Sequence, residues 1–359
     1  MSQEQPTQRV VKTDDGRRLA VEISGSTSGT PVFLMHGTPG SRSGPKPRGI
    51  VLYRLGVQLI SYDRPGYGGS DRHEGRRVAS AASDVAAIAD DLGIDRFAVV
   101  GRSGGGPHAL ACAALLAERV TRAAVLVSLA PADAAGLDWY GGMTNSNVDE
   151  YSTADADPTA LTASLTTRAD DIRHDPESLV AFLQPSLSER DHRVVDDVAM
   201  RRLLADTWAE AVRHGADGWI DDALAFRHDW GFELSSIRSP VRLWHGEDDR
   251  FSPVSHTRWL ADRIPTAEVE VQPGAAHFGA VEILPQMLAW LVAPESAGVG
   301  AGGSGAGGLS TGAGRGCGGR AGPRATPSRS DGSDPPPPRA GRSPARRPPP
   351  ARSPGGGAA

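Results

Sequence analysis

FAVVGRSGGG, residues 97–106, decides how this chain is read. The apolar run from Phe97 to Val100 has the character of a buried strand, and a helical stretch, 105–117, follows directly. Between them stands G-x-S-x-G, as Gly101-Arg102-Ser103-Gly104-Gly105. A strand that turns at once into a helix strains the backbone of the turn residue, and bulky neighbours would collide there, so glycines are needed on both sides. The serine hydroxyl then projects from the edge of the sheet, beside the positive end of the helix dipole. Ser103 is therefore the candidate nucleophile. In a chain with 44 glycines the five-residue pattern is common by chance, and its weight comes from the strand before it and the helix after it.

Outward from this point the same alternation continues. PVFLM (31–35), VQLISY (Val57–Tyr62) and AAVLVSL (123–129) are further short apolar runs, and Gly49–Leu55 and 79–92 have helical periodicity. Strands alternating with helices at this spacing predict βαβ units and a mostly parallel sheet covered on both faces. The chain opens on a hairpin, 9–13 and 17–24, around Asp14-Asp15-Gly16. After Pro131 no comparable strand is seen until 241–244 and 268–271. The segments 179–183, 194–211 and 219–226 read as helices, and a last helix fits 284–292, where Pro285 falls in the first turn. The expected organisation is an α/β core of residues 1–132 and 239–295, with a helical cap, 133–238, inserted between strands above the sheet's carboxyl edge.

Composition divides the chain in the same places. Residues 133–238 carry 21 acidic side chains against nine arginines. Residues 301–359 hold 16 Gly and 11 Pro, no aromatic residue, and Leu309 as the one large aliphatic. So little apolar surface does not offset the entropy of ordering, and 296–359 is expected to be a disordered tail. Its nine arginines have no interleaved aromatics, so no nucleic-acid partner is expected. Cys112 and Cys317 supply neither a disulfide framework nor metal-ligand spacing. The polar start MSQEQPTQ and the absence of any run of 18 apolar residues point to a soluble, cytoplasmic protein without membrane contact.

A serine hydroxyl needs a base to take its proton, and the base needs an acid to orient it. For a nucleophile at a strand–helix turn, the acid comes next in chain order and the base last. Of the ten histidines only His256 and His277 lie beyond the acidic loop of VRLWHGEDDRFSP (241–253), and His256 falls in the helical stretch that follows that loop. His277, in GAAHF (274–278), occupies a loop after a strand and is the candidate base. Asp249 is the favoured acid, three residues after Gly246 and four before Pro253, with Asp248 and Asp133 as competitors. HGTPG, residues 36–40, follows a strand and could aim the Thr38 N–H at a substrate carbonyl oxygen. Together with the Gly104 N–H it would form an oxyanion hole.

Taken together, HGTPGS (36–41), DRPGYGGSD (63–71), GRSGGG (101–106), HGEDDRFSP (245–253) and GAAHF resemble the α/β-hydrolase superfamily over residues 8–293, in the family's order. The resemblance implies the α/β-hydrolase fold with an eight-stranded sheet, a Ser103–His277–Asp249 triad, an oxyanion hole at Thr38 and Gly104, no cofactor, and a helical cap that shapes a pocket for a small-molecule substrate. A serine at position 103 argues against epoxide hydrolases and haloalkane dehalogenases, which need aspartate there. Two departures stand out: Thr38 replaces a glycine of the H-G-G-P-G found in prolyl aminopeptidases, and Gly104 replaces the bulkier residue, such as Met, that follows the nucleophile in many esterases and perhydrolases. The expected activity is hydrolysis of a small ester or related acyl compound through an acyl-enzyme. A prolyl-type aminopeptidase and a non-catalytic ligand-binding receptor are the alternatives.

Overall fold

The computed structural model describes residues 6–294; the expected tail, 296–359, with Cys317, lies outside the described residues. β1 (Thr7–Lys12) and β2 (Arg18–Gly25) form the opening hairpin, turning at Gly16, whose φ of 89° favours glycine. β3 (Thr30–Met35), β4 (Val57–Tyr62), β5 (Phe97–Arg102), β6 (Val120–Leu126), β7 (Val241–Gly246) and β8 (Ala267–Gln272) complete one eight-stranded sheet in the order β1-β2-β4-β3-β5-β6-β7-β8. The pairs β1–β2 and β2–β4 are antiparallel and every other pair is parallel.

The apolar runs are continuous because both faces of the central strands are covered. Val32 and Leu34 face one layer, where α1 (Gly49–Leu55) contributes Leu52 and the closing helix contributes Leu284, Met287 and Leu288. Phe33 and Met35 point the other way, onto Val85 and Ile88 of α2 (Ser80–Asp91) and Leu110 of α3 (Gly105–Leu115). The period of two along β3 thus separates two cores.

Between β6 and β7 there is no strand among the described residues, and six α-helices follow one another: α4 (Asn145–Ala156), α5 (Pro158–His174), α6 (Ser178–Leu183), α7 (Glu189–Val195), α8 (Val198–Ala211) and α9 (Asp217–Arg227). They bury a separate apolar cluster that includes Leu161, Leu165, Leu204, Trp208 and Trp219. After β7 come α10 (Val254–Ala261), then β8, α11 (Gly279–Glu282) and α12 (Leu284–Leu291). Among the described residues no helix is long and apolar enough to cross a membrane.

The structure departs from the sequence reading at three places. The strand expected at 123–129 runs instead from Val120 to Leu126, because Val127 has φ 48°, outside the extended region, and ends it. The helix expected at 194–211 is two helices: the Asp197 carboxylate accepts the Met200 N–H at 2.9 Å and starts α8 afresh. Finally, α4 and α5 were not foreseen. α5 did carry a signal, since Asp157 caps a helix with Pro158 in its first turn, and Leu161, Leu165, Ala169 and Ile172 form its buried stripe.

Candidate functional site

The turn from β5 into α3 has the strain that its glycines suggest. Ser103 has φ 55°, one of two non-glycine residues with positive φ among those described. Its N–H donates to the Leu126 carbonyl at 2.9 Å and its carbonyl accepts from the Gly106 N–H at 2.8 Å. A Cβ on Gly101 would lie 2.2 Å from the Gly105 carbonyl oxygen, and one on Gly105 would lie 2.3 Å from the Met35 carbonyl oxygen. No side chain fits at either position, and a left-handed serine of this kind stores about 1–3 kcal/mol.

His277 sits in the loop between β8 and α11. Its Nδ1 lies 2.8 Å from Asp249 Oδ2 and its Nε2 lies 3.0 Å from Ser103 Oγ. With Nδ1–H donating to the carboxylate, Nε2 is left to accept the serine proton. The Asp249 carboxylate is buried, and its Oδ1 accepts the N–H groups of Phe251 at 2.8 Å and Ser252 at 3.1 Å. Burial alone would raise its pKa, but the His277 charge and the hydrogen bonds from His245 and His277 override burial and hold it below the usual carboxylate range. For His277 burial favours the neutral ring, yet the Asp249 carboxylate wins and raises its pKa above the ordinary histidine value.

The competing acids are elsewhere. Asp248 is exposed, with Arg190 at 4.0 Å, and Asp133 is exposed in the loop after β6. His256 is buried in α10, where its ring meets the Ala130 N–H and the Trp139 carbonyl, so it holds the chain together away from Ser103. A carboxylate the sequence reading passed over lies closer: Asp191 of α7 accepts the Phe278 N–H at 2.8 Å, bracing the residue after His277. Only its distance in sequence hid it.

Thr38 and Gly104 face each other. A Cβ on Gly104 would lie 2.2 Å from Thr38 Oγ1, so the threonine side chain occupies the space a residue after the nucleophile would fill. The two departures noted in the sequence are thus halves of one packing arrangement. Thr38 Oγ1 donates to Asp222 Oδ2 of α9 at 2.6 Å and accepts from Arg64 Nη2 at 3.0 Å. Asp222 also pairs with Arg64 at 2.5 Å and Arg76 at 2.7 Å and accepts the Tyr67 hydroxyl at 2.9 Å. Burial would raise its pKa, but the two guanidiniums hold it well below the carboxylate range. Arg64 and Tyr67 come from DRPGYGGSD, a motif whose part in the fold was not legible from the sequence.

Ser103, His277, Thr38 and Gly104 line a cavity of about 340 Å³ whose remaining walls include α4, α5, α6, α8 and α9. Leu165, Trp208 and Phe251 give it an apolar surface, and Arg102, Glu150 and Arg168 are charged groups in its lining. Desolvation, against the Trp219 N–H at 3.0 Å, pushes Glu150 up to about 7. Among the described residues no group of three or more His, Cys, Asp or Glu is placed to hold a metal ion.

Known proteins resemble this chain in sequence and in fold. The family model for the alpha/beta hydrolase fold matches residues 30–282. The chain is 25% identical over 272 residues to a bifunctional esterase/perhydrolase of Acinetobacter calcoaceticus, covering 74% of this chain and 92% of that protein. It is 26% identical over 274 residues to a non-heme haloperoxidase of Rhodococcus erythropolis, again covering 74% and 92%. Among solved structures, a bromoperoxidase from Bacillus anthracis superposes with a TM-score of 0.60 at 21% identity, over 79% of this chain and 98% of that one.

Proposed function

The chain belongs to the α/β-hydrolase fold family, and from that premise we propose that it is a serine hydrolase of small esters or related acyl compounds. The observation that carries this reading is the hydrogen-bonded sequence Asp249–His277–Ser103, with the serine on a strained turn in the lining of a cavity. In this mechanism Ser103 Oγ attacks the acyl carbon while His277 Nε2 takes its proton. Asp249 keeps the proton on Nδ1 and balances the imidazolium, and the N–H groups of Thr38 and Gly104 receive the negative charge on the carbonyl oxygen. The imidazolium then protonates the leaving alcohol, and water, deprotonated by the same ring, releases the acid from the serine ester. Residues 133–238 act as the cap, and a cavity of about 340 Å³ suits a small substrate.

A second reading, removal of an amino-terminal residue, has one observation in its favour: the Glu150 carboxyl in the cavity offers a partner for a free amine. One assay separates the readings. The purified protein is given a short-chain 4-nitrophenyl ester and an amino-acid 4-nitroanilide, with a fluorophosphonate to label the nucleophile. Ester turnover and labelling, both absent in Ser103→Ala, are expected. Preference for the anilide would favour the peptidase reading, and labelling that survives Ser103→Ala would remove Ser103 from the mechanism.

A further inference from the structure

The cavity holds a positive charge that the mechanism does not use. Arg102 precedes the nucleophile and lines the same cavity. Its one hydrogen bond among the described residues is a long one, Nη1 to the Pro45 carbonyl at 3.4 Å, and it has no carboxylate partner. Arg102 is half-buried, whereas the buried guanidiniums Arg64 and Arg76 are both paired with Asp222. Burial, with no acid to offset it, pushes Arg102 down to about 10, and its charge reaches His277, whose pKa it lowers. An uncompensated cation in a cleft is costly to the fold, and such groups are kept where a ligand supplies the missing charge.

A second group nearby also lacks a partner. Thr207 of α8 lines the cavity, and its buried hydroxyl has no hydrogen bond. Both side chains close on Gly44: a Cβ placed there would lie 3.7 Å from Thr207 Cγ2 and 3.8 Å from Arg102 Nη2. The Arg102 guanidinium and the Thr207 methyl thus meet at Gly44, in the lining of the cavity that also holds Ser103. The two carboxylates of the lining, Asp149 and Glu150, are on α4, and Arg168 is the guanidinium that interacts with Glu150.

We propose that the Arg102 guanidinium forms an anion subsite in the cavity, and that the substrate is an acyl compound carrying a free carboxylate a few bonds from its scissile carbonyl. The subsite sets specificity: the guanidinium holds the carboxylate, which positions the carbonyl over Ser103. This inference rests on the hydrolase reading for the reaction, but the anion site itself is testable without turnover.

The kinetic test compares mono-4-nitrophenyl glutarate with 4-nitrophenyl butyrate, which lacks the distal carboxylate. Wild-type protein should favour the half-ester in kcat/KM. Arg102→Gln should lower the half-ester to neutral-ester ratio about 10- to 100-fold, the range expected for a charge-assisted hydrogen bond, and chiefly through KM. Arg102→Lys should restore part of it. A ratio unchanged in Arg102→Gln would overturn the proposal. Melting temperature gives an independent sign: loss of a half-buried cation without a carboxylate partner should leave it level or raise it, whereas a guanidinium with a merely structural role would lower it. The binding test uses glutarate and calorimetry on the Ser103→Ala protein, with and without Arg102→Gln. Binding that depends on Arg102 supports the subsite even if neither ester is cleaved, in which case only the hydrolase reading fails. Turnover of both esters with an unaltered ratio sinks the subsite and leaves the hydrolase reading standing.

Discussion

At the scale of single residues, the decisive contrast is between two neighbours in one loop. The Asp249 carboxylate is enclosed and meets the His277 ring at 2.8 Å, while Asp248 is exposed and reaches only Arg190, at 4.0 Å. Asp249→Asn would turn an acceptor of Nδ1–H into a group that also donates, favouring the wrong tautomer. Turnover should fall by about four orders of magnitude, and Asp248→Asn should change it less than about twofold. Equal effects of the two substitutions in kcat measurements would refute the assignment of the acid. The same pair sets the pH dependence. The proposed mechanism needs neutral His277, and the Asp249 carboxylate raises its pKa, so activity should be present above that pKa and lost as pH falls through it. The acid limb of kcat/KM should therefore lie above the ordinary histidine value, about 6.5. An acid limb at or below that value would mean that another group, or an unpaired histidine, is the base. The spacing from Gly246 and to Pro253 favours Asp249 in the sequence, and the structure places its carboxylate, not that of Asp248, against the His277 ring. Asp191 was not legible, because nothing local marks a carboxylate of α7 that crosses 87 residues to hold the Phe278 N–H.

Whole elements were legible where apolar periodicity was strong, and less so where caps and strain decide. The sheet runs were visible because strands buried on both faces are continuous apolar stretches, whereas α4 buries only Tyr151 and Ala154 in an otherwise polar sequence. The end of β6 was misplaced because a positive φ at Val127 leaves no trace in residue type. The junction of β5 and α3 was legible, and its glycines make a quantitative expectation. A Cβ on Gly105 would press on two backbone carbonyls of the neighbouring strand end, Met35 at 2.3 Å and His36 at 2.7 Å, neither of which can swing aside. Gly105→Ala should destabilise the protein by about 1–3 kcal/mol or more, as overpacking does. Gly49 opens α1 with nothing within 4 Å of its Cβ position, so Gly49→Ala should be neutral or slightly stabilising. Denaturant unfolding of both variants measures the difference, and similar midpoints would show that the elbow yields where rigid packing is inferred.

Across the whole molecule, the segment between β6 and β7 is tied to the sheet by a buried charge that no sequence pattern announced. Asp222 of α9 pairs with Arg64, 158 positions earlier, and with Arg76, while accepting from Tyr67 and Thr38. Breaking one side of such a cluster leaves charge buried without compensation, so Asp222→Asn should cost about 3–5 kcal/mol in unfolding free energy. It should also slow turnover, since Thr38 loses the carboxylate that anchors its side chain. The sign with pH follows from the depressed carboxyl pKa: burial opposes ionisation, and Arg64 and Arg76 overcome it. A carboxylate held below its unfolded value, about 3.9, stabilises fully above that value and loses its contribution as pH falls toward the folded pKa. Urea unfolding of wild type and Asp222→Asn should therefore show a constant gap between about pH 5 and about pH 8, narrowing below about pH 4. A gap that is already absent at neutral pH would mean that the two guanidiniums find other partners and that Asp222 does not tie α9 to the sheet.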